Sequence, residues 1–397
     1  MLRRTLLAPA LHNRLRNCYC CYHEVSFATT GEPLEVLEYC AITSEGDDIS
    51  PLDSSQSIRV EMWDAPWNPA DMNTVQGRYA SPYPNNHTEI DSVQRSRYFQ
   101  ERTISGSEGW GRVTDIQGTV SHISVGDIVT VGLPGLGTLR SSLWVPPSSL
   151  IPIARGMELH TKIGSKASAL SQLGGTAIRM LRDFSHLSPG DIVIQNAGNS
   201  GVGLLVSQLA KILLGVQVVS MVRRGTKTDS EWEELVNHVS KVGKATLVVA
   251  EEEVTDKDSI KVFLSTLSQL SASNKLPSLA FNAVGGESAS ILSKCLDQGG
   301  TMVTYGGMSM KPITVGTPQF IFKNLRLAGY WHGRWMVQQN HKAKQAMVNE
   351  LVDAVLDKHI ECPPIQVFSL NQLHEGLLFD RSQSGIRKKV VFSCREQ

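Results

Sequence analysis

No charge of either sign dominates this sequence: 38 lysines and arginines balance 38 aspartates and glutamates across 397 residues. That balance removes the field that would draw the chain to nucleic acid or to an anionic membrane, and it points to a small partner. A long uninterrupted apolar run is missing as well. The most apolar long window, 204–222, is broken by Gln208, Lys211 and Gln217, which argues against a transmembrane segment. Cysteine is sparse and scattered. Cys40, Cys295, Cys362 and Cys394 stand far apart, while Cys18, Cys20 and Cys21 crowd the first residues, so neither a disulfide framework nor a closely spaced metal clamp is supported. Acid is absent before Glu24, whereas Arg3, Arg4, Arg14 and Arg16 fall in the same stretch. That composition is the mark of a mitochondrial presequence, expected over residues 1–25; a basic tail without a targeting role is the alternative.

What is present suits a globular protein with room for two domains, since 41% of residues are hydrophobic and 19% charged. From Arg59 to Leu150 the apolar runs are short and cut by glycine and proline, as in GDIVTVGL at 126–133, which predicts a turn-rich β domain. From Asp191 the texture changes. Strand-like runs DIVIQNAG, VQVVSMV, ATLVVA, SLAFNAVGG, GTMVTYGG and LRLAGYW alternate with helical spacing, and that order predicts a doubly wound parallel sheet.

The richest local motif is IVIQNAGNSGVGLLVSQLAKIL, in which a strand over 192–194 runs into Gly198, Gly201 and Gly203 and then into helical periodicity. Glycine lets the backbone approach a pyrophosphate, and the helix N-terminus offers unpaired amides to the anion. A glycine turn that only packs helix on sheet is the plainer alternative. The second strand then ends in Arg223 and Arg224, with no acid until Asp229. A guanidinium fork suits a 2′-phosphate, so the nucleotide expected is NADPH rather than NADH.

These segments carry a resemblance. NPADMNTVQGRY (68–79), GLGTLRS (135–141), TAIRML (176–181), IQNAGNSGVG (194–203), GGTMVTYGGM (299–308) and FKNLRLAGYW (322–331) resemble the medium-chain dehydrogenase/reductase superfamily, and within it the mitochondrial trans-2-enoyl-thioester reductases. The resemblance implies a GroES-like β-rich catalytic domain over 26–175 and 340–397, joined to a Rossmann doubly wound parallel-sheet cofactor domain over 176–339. It implies NADPH-dependent reduction of trans-2-enoyl thioesters on coenzyme A or acyl carrier protein, the last step of mitochondrial fatty acid synthesis in the matrix. Homodimers are expected through the strand near 325–330.

The same resemblance assigns roles by position. Tyr79 matches the family's proton donor: a phenol stays protonated near neutral pH and gives its proton to the substrate's α-carbon after hydride reaches the β-carbon. Asn199, Ser200, Gly201 and Val202 match the pyrophosphate loop. Tyr305, Gly306, Gly307 and Met308, with Tyr330, Trp331 and His332, match segments along the nicotinamide, and Lys388 matches a basic residue near the C-terminus. Zinc-dependent relatives read Gly-His-Glu where this chain reads GSEGWGRV (106–113). Ser107 replaces the histidine, no cysteine cluster follows, and no metal is expected. Leu173 stands where the family has asparagine, which removes a polar contact near the nicotinamide ribose. The polar stretch Ser81 to Glu101 directly follows Tyr79 and is positioned by sequence to cover the pocket mouth. Two rivals stay open: a zinc-free NADPH:quinone reductase and a nucleotide-binding interaction protein without turnover. Reduction of trans-2-enoyl-CoA, reduction of a quinone, or binding without oxidation separates the three.

Overall fold

The structure is a computed structural model that describes residues 21–43, 56–78 and 102–395. Three sheets, of three, six and seven strands, organise these residues. The amino-terminal half contributes β1 (Cys21–Phe27), β2 (Glu38–Thr43), β3 (Ser57–Pro66), β4 (Thr103–Ile104), β5 (Trp110–Gln117), β6 (Ile128–Val131), β7 (Ser142–Val145) and β8 (Leu150–Pro152). The parallel sheet follows with β9 (Ile192–Gln195), β10 (Gln217–Val222), β11 (Leu247–Ala250), β12 (Leu279–Asn282), β13 (Thr301–Thr304) and β14 (Arg326–Gly329), and the chain returns to the first half with β15 (Ile365–Ser369) and β16 (Lys389–Ser393).

The parallel strands run in the order β11-β10-β9-β12-β13-β14, so the order reverses at β9 and leaves a crevice beyond its carboxyl end. All four residues of β9 are buried, as are those of β12, because helices cover both faces of such a sheet. The expected parallel domain is therefore present, and each of the six apolar runs read from the sequence supplies one of its strands. The outermost strand, β14, is largely exposed.

The β-rich part is built on β3, which lies between β16 and β5 in the sheet β15-β16-β3-β5-β6-β8 and also pairs with β7. Its register with β5 shifts twice, between Arg59 and Val60 and between Met62 and Asp64, and such bulges bend a strand. Glycine is required in β5. A Cβ on Gly111 would lie 2.1 Å from the Glu61 carbonyl oxygen. The return of the chain through β16, antiparallel to β3 with Val391 opposite Pro66, carries residues near 389 to the end of β3.

One boundary differs from the reading of the sequence. β1 begins at Cys21, inside the span 1–25 assigned to a presequence, and pairs with β2 over six residues from Cys21↔Thr43 to Ser26↔Glu38. Composition misleads there because the acid-free stretch runs on into a strand whose Val25 is fully buried.

The sheets meet along helix α3, so the helices around it need naming: α1 (Pro69–Val75), α2 (Gly156–Ile163), α3 (Leu170–Asp183), α4 (Gly201–Leu214), α5 (Asp229–Lys241), α6 (Lys257–Leu270), α7 (Gly286–Cys295), α8 (Thr317–Lys323), α9 (His332–Gln338), α10 (His341–Leu356) and α11 (Leu373–Ser382). The boundary expected at 175/176 runs through α3. One continuous core joins its Ala177, Ile178 and Leu181 to Leu205 and Leu209 of α4, Leu351 and Val355 of α10, and Trp63 and Trp110 of the β-rich sheet.

Candidate active site

A cavity of about 670 Å³ opens where α1, the bend before β5, the start of α3 and the ends of β13 and β14 converge. Its floor begins with α1. Asn68 takes the cap position, where its backbone N–H donates to Asp71 Oδ2 at 2.8 Å, and Pro69 takes the first helical position, where its missing N–H costs nothing.

The bend GSEGWG is built by contact. Gly106 has φ +106, and a Cβ there would fall 2.4 Å from Thr138 Oγ1; at Gly109 it would fall 2.6 Å from Met62 Cε. The turn sends Glu108 inward to 2% exposure. One carboxylate oxygen accepts from the Gln172 backbone N–H at 2.6 Å and the other from Asn68 Nδ2 at 3.1 Å. Helix α3 has Ala169 at its N-cap and no side-chain cap of its own. Glu108 therefore caps it from another part of the chain, placing an acceptor and a negative charge at the helix's positive end.

Asp71 and Glu108 are buried, and both act electrostatically on the half-buried Lys389. Burial pushes the Glu108 carboxyl up to about 7, against the Gln172 and Asn68 hydrogen bonds and the Lys389 charge, and pushes Asp71 up to about 6. Lys389 is pulled down by burial and held up by Glu108 and Asp71. The donor set at the bend is thus two carboxylates, two amides and the Ser107 hydroxyl, and among the described residues no three His, Cys, Asp or Glu side chains group in a way that could hold a metal ion.

The opposite wall carries Tyr305, Tyr330, Trp331 and His332. Tyr330 OH lies 2.9 Å from His332 Nδ1, and His332 stacks on Trp335 with ring centroids 5.9 Å apart. Burial pushes His332 down to about 3 and the Tyr305 phenol up to about 12. Both side chains are neutral at physiological pH. Gly306 and Gly307 continue the turn after β13, while Met308 points to solvent at 62% exposure.

Beyond the carboxyl end of β9 lies the glycine turn. A Cβ on Gly198 would fall 2.4 Å from Ser220 Cβ, and one on Gly203 2.7 Å from the Ala197 carbonyl oxygen. Ser200 caps α4 by accepting from Gly203 N at 3.1 Å. Gly201 and Val202 precede the first intrahelical bond, from Leu204 N to Ser200 O, so their amides are available to an anion. This cradle fits a dinucleotide pyrophosphate. Asn199 Nδ2 reaches Gly385 O at 3.5 Å, which brings the loop before β16 to the same turn. In that loop Lys388 is exposed, its backbone N–H bonded to Gln383 Oε1.

The two arginines after β10 are not equivalent. Arg224 pairs with Asp229 and lies 6.0 Å from the Trp232 ring, and Glu252 accepts from the Arg224 and Gly225 amides. The Arg223 charge acts on Glu251 and Glu252. An acid does stand at the end of this strand, supplied by the neighbouring β11 turn rather than by the local sequence. Leu173 packs toward the nucleotide turn, with Cδ1 3.1 Å from where a Gly201 Cβ would sit. Tyr79 and the stretch Ser81 to Glu101 lie outside the described residues; Arg78, immediately before Tyr79, lines the cavity. Sequence reading passed over Asn68, Asp71, Gln172 and Lys389. No local signal separated Lys389 from its exposed neighbour Lys388.

The chain matches the family described as zinc-binding dehydrogenase over residues 201–353, entirely on the carboxyl side of the bend at Ser107. It is 32% identical over 378 residues to the mitochondrial enoyl-[acyl-carrier-protein] reductase of Dictyostelium discoideum, covering 95% of this chain and 96% of that protein. Among solved structures it resembles the Etr1p complex with NADP and crotonyl-CoA, with a TM-score of 0.80, 25% identity and coverage of 94% of this chain and all of that one. It also resembles the mitochondrial 2-enoyl thioester reductase Etr1p/Etr2p heterodimer from Candida tropicalis, at a TM-score of 0.79, 26% identity and the same coverage.

Two outcomes follow from the geometry. A raised folded-state value means that the protonated Glu108 carboxyl favours folding: the contribution is complete below its ordinary 4.5 and is lost as pH rises through about 7. Glu108→Gln removes that loss, so the difference in Tm between variant and parent moves in the variant's favour from pH 5 to pH 8; a constant difference would show that Glu108 does not titrate in this range. Arg223→Gln weakens NADPH binding by about tenfold or more, the size of one charged hydrogen bond, and Arg224→Gln weakens it less because Asp229 already holds that guanidinium. Fluorescence titration with NADPH and NADH checks the order.

Proposed function

Because the chain belongs to the mitochondrial enoyl-[acyl-carrier-protein] reductase family, we propose that it reduces trans-2-enoyl thioesters, carried on coenzyme A or acyl carrier protein, to saturated acyl thioesters in the mitochondrial matrix. The observation that carries this reading is likeness over nearly the whole chain to a reductase solved with NADP and crotonyl-CoA, joined to a cavity with Tyr305 and His332 on one wall and the Glu108 floor on the other.

NADPH, when bound, supplies the hydride for the β-carbon. The chain's residues do the rest. Gly201, Val202 and the Ser200 turn hold the pyrophosphate, Asn199 joins them from the same turn, Arg223 and Arg224 meet the 2′-phosphate, and Lys388 lies on the loop that Gly385 ties to that turn. Tyr305 to Met308 and Tyr330 to His332 flank the nicotinamide. Because Tyr305 and His332 stay neutral, no fixed charge on this wall opposes hydride transfer. Electron density pushed into the thioester oxygen is met by hydrogen bonds, which suffice for an enolate in a dry pocket.

Tyr79 delivers the proton to the α-carbon. It follows Arg78 at the end of α1, one residue beyond a side chain that lines the cavity and donates from Nη1 to Met310 Sδ at 3.3 Å. The neutral phenol gives this proton, is left as phenolate, and is reprotonated from solvent. The matrix assignment rests on the basic first residues and on the mitochondrial names of the relatives; protease protection of the imported chain in mitoplasts checks it.

Tyr79→Phe leaves NADPH affinity unchanged and slows NADPH oxidation with trans-2-enoyl-CoA by about two orders of magnitude. Turnover near that of the parent removes Tyr79 from the role, and faster oxidation with a quinone than with enoyl-CoA would turn the whole reading toward the quinone reductases. A homodimer is also proposed through β14, whose edge is flanked by exposed Ile313, Phe320, Ile321, Phe322 and Leu327. An apolar cluster of this kind marks an interface. Sedimentation of the purified protein is expected to give twice the mass of one chain, and Phe322→Glu to give one.

A further inference from the structure

Gln172 differs from its neighbours on α3. Ser171 and Leu173 are buried, whereas Gln172 keeps part of its side chain open to the cavity. Successive helical residues diverge by about 100°, and the two residues divide the site between them. Leu173 packs toward Gly201 of the nucleotide turn. Gln172 turns to Asn68 and Glu108, on the floor supplied by α1 and the bend before β5.

The orientation of its amide follows from a chain of partners. Glu108 Oε2 is an acceptor, so Asn68 presents its NH2 to it, at 3.1 Å. The same Asn68 nitrogen faces Gln172 Oε1 at 3.5 Å. The oxygen of Gln172 is thereby engaged on the Asn68 side, and its NH2 is the end left for the cavity. Glu108 also holds the Gln172 backbone N–H at 2.6 Å, which fixes the residue from which the amide projects. A donor pre-positioned in this way loses little freedom when a ligand arrives.

We infer that Gln172 is the group that binds the thioester carbonyl oxygen, its side-chain NH2 donating to the charge that develops there as hydride adds to the β-carbon. This assignment rests on the enoyl reduction proposed above. Conjugate addition moves an electron pair from the carbon–carbon double bond toward the carbonyl oxygen, and the enolate then collapses by taking its proton at the α-carbon. A neutral amide donor interacts more strongly with the enolate oxygen than with the ground-state carbonyl, so its contribution appears in the rate of the chemical step rather than in binding. Asn68 and Glu108 act through Gln172. They are positioning residues, which explains why a buried carboxylate stands at this site although a negative charge alone would oppose an enolate.

The test compares Gln172→Met, which keeps length and removes the amide, with the parent chain, using trans-2-hexenoyl-CoA and NADPH. The parent rate by itself reports whether enoyl reduction occurs, and the ratio of variant to parent reports on Gln172. Loss of about two orders of magnitude in kcat, with KM for the thioester and the NADPH dissociation constant each within about twofold, is expected for an oxygen-binding donor. A kcat within about threefold of the parent overturns the assignment, and so does a loss that appears as weaker NADPH binding, which would place the amide on the cofactor. Should Gln172→Met fail to fold, Gln172→Asn is read by the same criteria. It keeps the polarity and withdraws the donor by one methylene, so it too is expected to lower kcat with NADPH affinity retained.

Discussion

The Glu108 carboxylate at the start of α3 is the constraint that the rest of the site depends on. Helix α3 begins after Ala169, which offers no side-chain acceptor, and its first amides lie inside the protein, where an unpaired donor costs on the order of 1–3 kcal/mol. The acceptor comes from 64 residues earlier in the chain. Bringing a carboxylate there requires a bend too tight for side chains at Gly106 and Gly109. A cation eases the burial of Glu108 and Asp71 together. Lys389 supplies it from β16, at the opposite end of the sequence. One helix terminus thus ties together α1, the bend and the last strand.

That tie sets the electrical character of the cavity. The charged groups are collected on the floor, where they compensate one another, while the wall formed by Tyr305 and His332 is kept neutral by burial. A reaction that moves negative charge into a thioester oxygen then proceeds between a wall of neutral side chains and a floor on which Gln172 lines the cavity. At the bend beside Ser107, Glu108 serves as the acceptor for the first turn of α3.

The parts of this arrangement that could be read from the sequence are those set by local chemistry. The strand, glycines and helix over 192–214 declared the nucleotide turn because each residue's role there depends on its immediate neighbours: Gly198 and Gly203 clash with Ser220 and Ala197 if replaced. The six parallel strands were legible as apolar runs because both their faces are covered. Other features were not. Lys388 and Lys389 are indistinguishable as sequence, and only the fold leaves the first in solvent and sets the charge of the second against Glu108 and Asp71. Arg223 and Arg224 read as an equal pair until Asp229 and Glu252 fold against the second. The basic amino-terminal stretch hid β1, because its composition says nothing of the partner strand that buries Val25.

By itself, then, the sequence determined the two kinds of sheet and the glycine turn, which follow from periodicity or from the chemistry of single residues. Tertiary structure alone decided that Glu108 caps a remote helix, that Gln172 and Leu173 face different halves of the site, and that two acids share one lysine. The reason is physical: these outcomes depend on burial and on groups far apart along the chain, and desolvation acts on a carboxylate only once folding has enclosed it.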